Sequence, residues 1–378
     1  MQAITSIFAP PAADILKESG RTLPHVVIAP SLQGREAALA KQSLPGETLL
    51  LVTDETLFPI CGERIMQRLG EAYRVMPLVL PPLPRPDMEH VARIRGHAFD
   101  AIAAVGSGTV NDLCKYAAFL AHKPYLAFPT APSMNGYASA NASLVENGVR
   151  HSAPAATPAA ILCDLQMLAR APARLIRAGL GDSLARPTAQ ADWLLSHLLR
   201  ETPYDSRPFL LLEPYEASLF SASEALGRGD AEAVETLMKV LLLSGFGMTL
   251  AGGSYPASQG EHMIVHHYLT LAEERLDKTR EVLHGEAVGV ATLTMARIQE
   301  KLVKTLPPAL SERIRSVMLP ASLLHSVLSR AGAPATPAAL GWDEALYAHA
   351  VETAHATRDR FTFLNLYSSA SRTSQALT

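Results

Sequence analysis

Four short stretches of this chain carry residue types that do chemistry when a fold brings them together: GSGTVND (106–112), TAPSMNGYAS (130–139), GLGDSLAR (179–186) and the histidine-bearing pair GEHMIVHH (260–267) and LHGEAVGV (283–290). In the first, Gly106-Ser107-Gly108-Thr109 follows an apolar run and opens a helical pattern. Such a turn aims backbone N–H groups and the positive end of a helix at an anion, typically a diphosphate, and glycines permit the close approach. Asn111 stands where the Rossmann fingerprint has its third glycine, and the loop follows the fourth apolar run, not the first. The pattern therefore departs from an ordinary Rossmann dehydrogenase while leaving nucleotide binding open. Asp54, closing TLLLVTD, is placed to accept hydrogen bonds from a ribose or to cap the next helix. Thr130, Ser133 and Ser139 put hydroxyls at the rim where open sheets bind ligands, or simply form a turn.

The later stretches supply metal-ligand types. Asp182 follows Gly179 and Gly181 and is read as opening a helix, where an N-cap is the plainer role. His262 and His266 are four apart, so a helix puts both on one face, with His267 turned about 100° toward the flank. His284 precedes Gly285-Glu286 at another expected helix start. Two neutral imidazoles and one carboxylate leave open positions on a divalent ion, as a catalytic site requires. Glu261 precedes His262, so the HExxH pattern of zinc peptidases is absent.

Positioning these residues falls to two kinds of structure. HVVIAP (25–30), TLLLVTD (48–54), YRVMPLVLP (73–81), DAIAAVG (100–106) and YLAFPT (125–130) read as buried strands. Helical patterns at 33–42, 60–71, 87–96 and 109–121 lie between them, which implies an α/β domain with a parallel, Rossmann-like sheet. Beyond 164 the periodicity is helical, over 164–179, 182–200, 213–225, 230–247, 259–274, 286–301, 309–317, 321–331 and 342–356, and no strand is expected. A boundary near 160–165 then gives a dinucleotide-type domain, 1–163, and an all-α metal- and substrate-binding domain, 164–378. The tail 368–378 reads as mobile.

Totals bound the partners. A formal charge of −3 over 378 residues leaves no basic footprint for nucleic acid. Cys61, Cys114 and Cys163 are odd in number and widely spaced, which suits a reducing compartment. No signal peptide is apparent, and apolar windows such as 239–252 are broken by Gly or Ser short of a membrane span. A cytoplasmic enzyme without membrane or nucleic-acid partners is the resulting expectation.

With those motifs in that order, from about residue 48 to 295, the chain resembles the iron-containing alcohol dehydrogenase and dehydroquinate synthase-like superfamily, and within it the sn-glycerol-1-phosphate dehydrogenase branch. GSGTVND followed by TAPSMNGYASANASL carries most of the likeness, with GLGDSLAR, EHMIVHHYL and HGEAVGVATL adding to it. The resemblance implies a site in the cleft between the two domains, NAD or NADP, one divalent metal (zinc first, nickel or iron as alternatives), a small-molecule substrate and a homo-oligomer. It implies that Asp54, Gly106, Ser107, Gly108, Thr109, Asp112, Lys115, Thr130, Ser133 and Ser139 line the dinucleotide site. Asp182, His262 and His284 match the metal ligands, and His266 a second histidine near the reacting centre, a candidate proton relay. Asn135 stands where this branch usually has Asp beside substrate and nicotinamide; an amide keeps hydrogen bonding but cannot take a proton. Dihydroxyacetone phosphate and sn-glycerol 1-phosphate are the implied pair, with Arg150 or Arg186 as candidates to hold the phosphate. Another polyol, phosphorylated or not, and a dehydroquinate synthase-like lyase are the alternatives. Pro187 should kink the helix expected over 182–200 unless it falls in a first turn.

Overall fold

The structure is a computed structural model that describes residues 7–146, 149–272 and 282–376. Strands β1 (His25–Ala29), β2 (Thr48–Asp54), β3 (Arg74–Leu80), β4 (Ala101–Gly106) and β5 (Tyr125–Pro129) form where the apolar runs lie. A hairpin of β6 (Asn141–Glu146) and β7 (Val149–Pro154) follows, and then β8 (Ala160–Asp164). Six of these make one sheet in the order β1-β8-β5-β4-β2-β3, parallel throughout. Successive side chains of a strand face opposite ways, and helices cover both faces. Leu49 and Leu51 therefore enter one core, Leu50 and Val52 the other, and all four are fully buried.

Three strands escaped the sequence reading. β6 alternates buried Ala142 and Leu144 with polar neighbours, a period of two hidden among small and polar residues. β8 is only five residues, all buried, inside an Ala/Pro-rich stretch that read as a boundary. It nonetheless inserts between β5 and the edge strand β1.

The glycine loop leads from β4 into α1 (Gly108–Ala121). No strand follows β8 among the described residues; the site draws on α2 (Ala173–Ser183), α3 (Arg186–Arg200), α4 (Ala231–Ala251), α5 (Gly260–Ala272) and α6 (His284–Leu302). The chain breaks between α2 and α3 at Leu184 and Ala185, so the helix expected over 182–200 is shorter. Asp182 sits in the last turn of α2 and caps nothing. Pro187 falls in the first turn of α3, where a missing N–H costs no helical bond. The 21 residues of α4 are long and apolar enough to cross a membrane, but 78% of its most apolar window is buried inside the protein. The tail expected over 368–378 lies in helix as far as residue 376, and 377–378 lie outside the described residues. Phe363–Ala376 is a helix, anchored by buried Phe363 and Leu364, with the Phe363 N–H donating to Asp192 Oδ1 at 3.0 Å.

α2 and α6 cross almost backbone to backbone. A Cβ placed on Gly285 would lie 1.9 Å from the Ala178 carbonyl oxygen, and one on Gly181 would lie 2.2 Å from the Gly285 carbonyl oxygen. Only hydrogen fits at either position, and this contact brings Asp182 and His284 to the same place.

Candidate active site

Asp182 from α2, His262 from the first turn of α5 and His284 at the start of α6 meet at the bottom of a cleft, with one donor atom of each within 4.8 Å of the others. His262 Nε2 and His284 Nε2 stand 3.8 and 3.9 Å from Asp182 Oδ1. That oxygen is buried without a hydrogen-bond partner, while Oδ2 accepts the Asn135 amide at 2.9 Å. A buried, unsatisfied carboxylate oxygen is costly unless a cation meets it. Burial pushes the Asp182 carboxyl up to about 7, with the Asn135 N–H opposing and Glu261 adding to the rise. A divalent ion at this point reverses that logic by favouring the carboxylate. Burial, then the nearby Arg358 and Arg360 guanidiniums, drive His262 down to about 3, so it stays a neutral imidazole, the ligating form.

Glu261 completes the set, a role that its place outside any HExxH pattern does not signal. Its Oε1 lies 3.0 Å from His262 Nδ1, and the carboxylate also accepts the Gln259 N–H and the Thr188 hydroxyl. A carboxylate behind a histidine fixes which ring nitrogen faces a metal and raises its basicity. Two imidazoles, one carboxylate and this supporting carboxylate fit a divalent ion with open coordination positions.

His266, one turn along α5, stays beside the cluster, its ring centre 6.3 Å from His262 and 5.9 Å from His284. Arg358 Nη2 donates to its Nδ1 at 3.2 Å. A guanidinium only donates, so Nδ1 must be the unprotonated nitrogen and Nε2 the one that carries the proton. His267 turns to the flank and bonds Thr353.

The opposite wall of the same cleft is the glycine loop: Ser107, Gly108, Thr109 and Asp112 line it together with Ser133, Asn135 and Ser139. The Ser107 side chain does not cap α1, so it does not occupy the first-turn amides of that helix. The cleft holds a cavity of roughly 240 Å³ that opens to solvent. Lys115 does not reach the cleft. It is fully buried, donates to the Gly136 and Asn141 carbonyls and the Ser139 hydroxyl, and so braces the Ser/Thr turn from behind. Gly106 ends β4 and accepts the Thr130 N–H, and Thr130 faces a second cavity with Leu57, Ile60, Arg64 and Asp164. Asp54 Oδ1 accepts the Thr56 and Leu57 amides, both at 2.9 Å, and neither cavity is lined by it.

The phosphate candidates fare differently. Arg186 is closed onto Glu216 and Gln190 outside the cleft, because it opens α3 instead of continuing the helix of Asp182. The side chain of Arg150 lies outside the described residues.

A model of the iron-containing alcohol dehydrogenase family matches residues 27–172. A glycerol-1-phosphate dehydrogenase [NAD(P)+] of Bacillus licheniformis is 30% identical over 357 residues, covering 91% of this chain and 88% of its own. The chain belongs to the glycerol-1-phosphate dehydrogenase branch of the iron-containing alcohol dehydrogenases. The enzyme of that name from Thermococcus kodakarensis is 31% identical over 346 residues, covering 90% of this chain and 91% of its own. Among solved structures, glycerol dehydrogenase from Schizosaccharomyces pombe shares the fold, with a TM-score of 0.66 at 20% identity over 91% of this chain and 85% of that one.

Proposed function

We propose that this chain interconverts dihydroxyacetone phosphate and sn-glycerol 1-phosphate with NAD(P), using one divalent ion, zinc first, held by Asp182, His262 and His284. The observation that carries the reading is the convergence of those three side chains within 4.8 Å on one wall of a cleft whose other wall is a glycine loop opening a helix. The two relatives named above are glycerol-1-phosphate dehydrogenases [NAD(P)+] by name. When bound, the ion supplies polarisation of the substrate carbonyl, and the nicotinamide supplies the hydride.

The chain's own groups do the rest. Gly106 to Thr109 and the amides of α1 bind the diphosphate, with Asp112, Ser133 and Ser139 along the same wall and Thr130 on the second cavity, while Asp54 stays engaged by the Thr56 and Leu57 amides. Lys115 holds the Ser/Thr turn in place from beneath. Asn135 presents an amide to the substrate while its backbone N–H orients Asp182. His266, held by Arg358 at Nδ1, passes a proton at Nε2 to or from the substrate oxygen.

The test is NADH and NADPH oxidation with dihydroxyacetone phosphate, comparing metal-stripped protein with samples restored with zinc, nickel or ferrous ion, followed by the stereochemistry of the product. Metal-dependent turnover to sn-glycerol 1-phosphate supports the reading. Protein that binds cofactor and zinc yet turns over no dihydroxyacetone phosphate overturns it.

A further inference from the structure

Of the residues lining the cleft, Arg358 is the one with a cationic side chain among the described residues. It comes from TRDRFTF (357–363), far along the chain from every motif that marked the site. Three other arginines close onto carboxylates: Arg64 on Glu36, Arg174 on Glu286, Arg186 on Glu216, whereas Arg177, away from the cleft, donates to the Gly227 carbonyl. Arg358 does not close onto a carboxylate. Its guanidinium donates to Ser258 Oγ at 3.1 Å and His266 Nδ1 at 3.2 Å, both neutral acceptors, and no described carboxylate lies within ion-pair distance. Arg360, alongside, donates to the Ser258 carbonyl and Ser254 Oγ and covers the Tyr255 ring. The nearest buried acid, Glu261, is engaged by His262, Gln259 and Thr188. Among the described residues neither guanidinium is ion-paired with a carboxylate, which leaves positive charge at the cleft wall.

A half-buried cation without a counter-ion is unfavourable until an anion arrives. Its position says which one. Arg358 lies against His266 on the side of Nδ1, and His266 in turn stands beside His262 and His284. The series from metal ligands to proton-passing imidazole to guanidinium suits a short substrate whose carbonyl is at the ligands and whose phosphate is one carbon further along. A guanidinium's planar fork matches phosphate oxygens.

We infer that Arg358 is the residue that binds the phosphate of the substrate and so selects a phosphorylated over an unphosphorylated polyol. This rests on the functional reading above for the identity of the substrate.

The experiment uses full-length, zinc-loaded protein saturated with NADH, in which the alcohol binds but cannot react. Binding of sn-glycerol 1-phosphate is followed by NADH fluorescence in wild type, Arg358→Met and Arg358→Lys. Arg358→Met should weaken sn-glycerol 1-phosphate at least about 30-fold, the scale of a lost charged hydrogen bond, with zinc content and NADH affinity held. Arg358→Lys should recover part of the loss, because a point charge replaces the fork. Affinity within about 3-fold of wild type in Arg358→Met overturns the inference. Parallel loss of zinc or NADH in both variants also overturns it, since that is the mark of a bracing role. If Arg358→Met does not fold, Arg358→Lys decides by the same two criteria. Wild type that binds sn-glycerol 1-phosphate without oxidising it on supply of NAD(P)+ sinks the proposed function and leaves Arg358 standing; turnover with an indifferent Arg358→Met does the reverse.

Discussion

Replacing Gly285 by alanine tests how the proposed metal ligands are brought together. The added methyl would sit 1.9 Å from the Ala178 carbonyl oxygen, about 1.5 Å short of an ordinary C···O contact. That oxygen is backbone, so α2 and α6 must separate by most of the shortfall. Asp182 rides on one helix and His284 on the other, whereas metal–ligand distances tolerate only ~0.2 Å. Gly289 is the internal control, because its Cβ would meet its nearest neighbour, Gly181 Cα, at 3.2 Å and so needs only a few tenths of an ångström. Gly285→Ala should lower zinc affinity by at least about 100-fold, beyond the 10–100-fold seen when a supporting shell is disturbed, and cost about 1–3 kcal/mol of apo stability as overpacking. Gly289→Ala should change zinc affinity less than about 5-fold, a displacement close to the tolerance just cited. Zinc affinity is read by competition with a chromophoric chelator, and stability by urea unfolding of the apo forms. Wild-type zinc affinity in a folded Gly285→Ala would refute the claim that this crossing sets the site.

Other perturbations follow from single contacts. Glu261→Gln keeps shape but removes the carboxylate behind His262 Nδ1, so zinc affinity should fall about 10–100-fold; an unchanged chelator titration would show that this carboxylate does not tune the ligand. Arg186→Met breaks the pair with Glu216 outside the cleft; kcat/KM for dihydroxyacetone phosphate should stay within about 3-fold while urea stability drops by about 3–5 kcal/mol, the cost of leaving a largely buried carboxylate unpaired. A large rise in KM would return Arg186 to the substrate site. Burial lowers Lys115 to about 8, with Asp112 opposing. Between that value and 10.5 the unfolded chain holds the proton more than the folded one, so this group's contribution to stability rises with pH across the window. Comparing urea unfolding of wild type and Lys115→Met from pH 7.5 to 10.5, wild type should gain on the variant as pH rises; the opposite slope would contradict the sign.

What the sequence made legible was local. Leu49 to Val52 are apolar at every position because both sheet faces are covered, and that run located β2 without ambiguity. His262 and His266 could be placed on one face because helical spacing is fixed. Asp182 resisted, since a helix end and a helix start look alike when glycines precede and a proline follows; only tertiary packing put it in the last turn of α2. Ala142 and Leu144 were hidden because two buried residues among polar ones make a weak period. Arg358 carries no local signal at all. A charged residue in TRDRFTF looks like a solvated turn, and what makes it notable is that its guanidinium bonds Ser258 and His266 and pairs with no carboxylate among the described residues.

The place of β8 in the sheet sets an order on biosynthesis. β1 pairs with β8 alone, His25 against Ala160, so its partner follows 135 residues later. At about 5–20 residues per second a ribosome takes roughly 7–27 s to cover that interval. Meanwhile the apolar strands β1 and β5 each lack the neighbour that will cover their edge, the condition under which nascent chains pair with one another. The last strand of the sheet is the one that joins the edge strand β1 to the rest, and the helices that carry the proposed metal ligands all emerge after it. Assembly of the catalytic cleft thus waits on a five-residue segment, which makes β8 the place where a synonymous change in translation speed or a missing holdase would be felt as lost yield and not as altered catalysis.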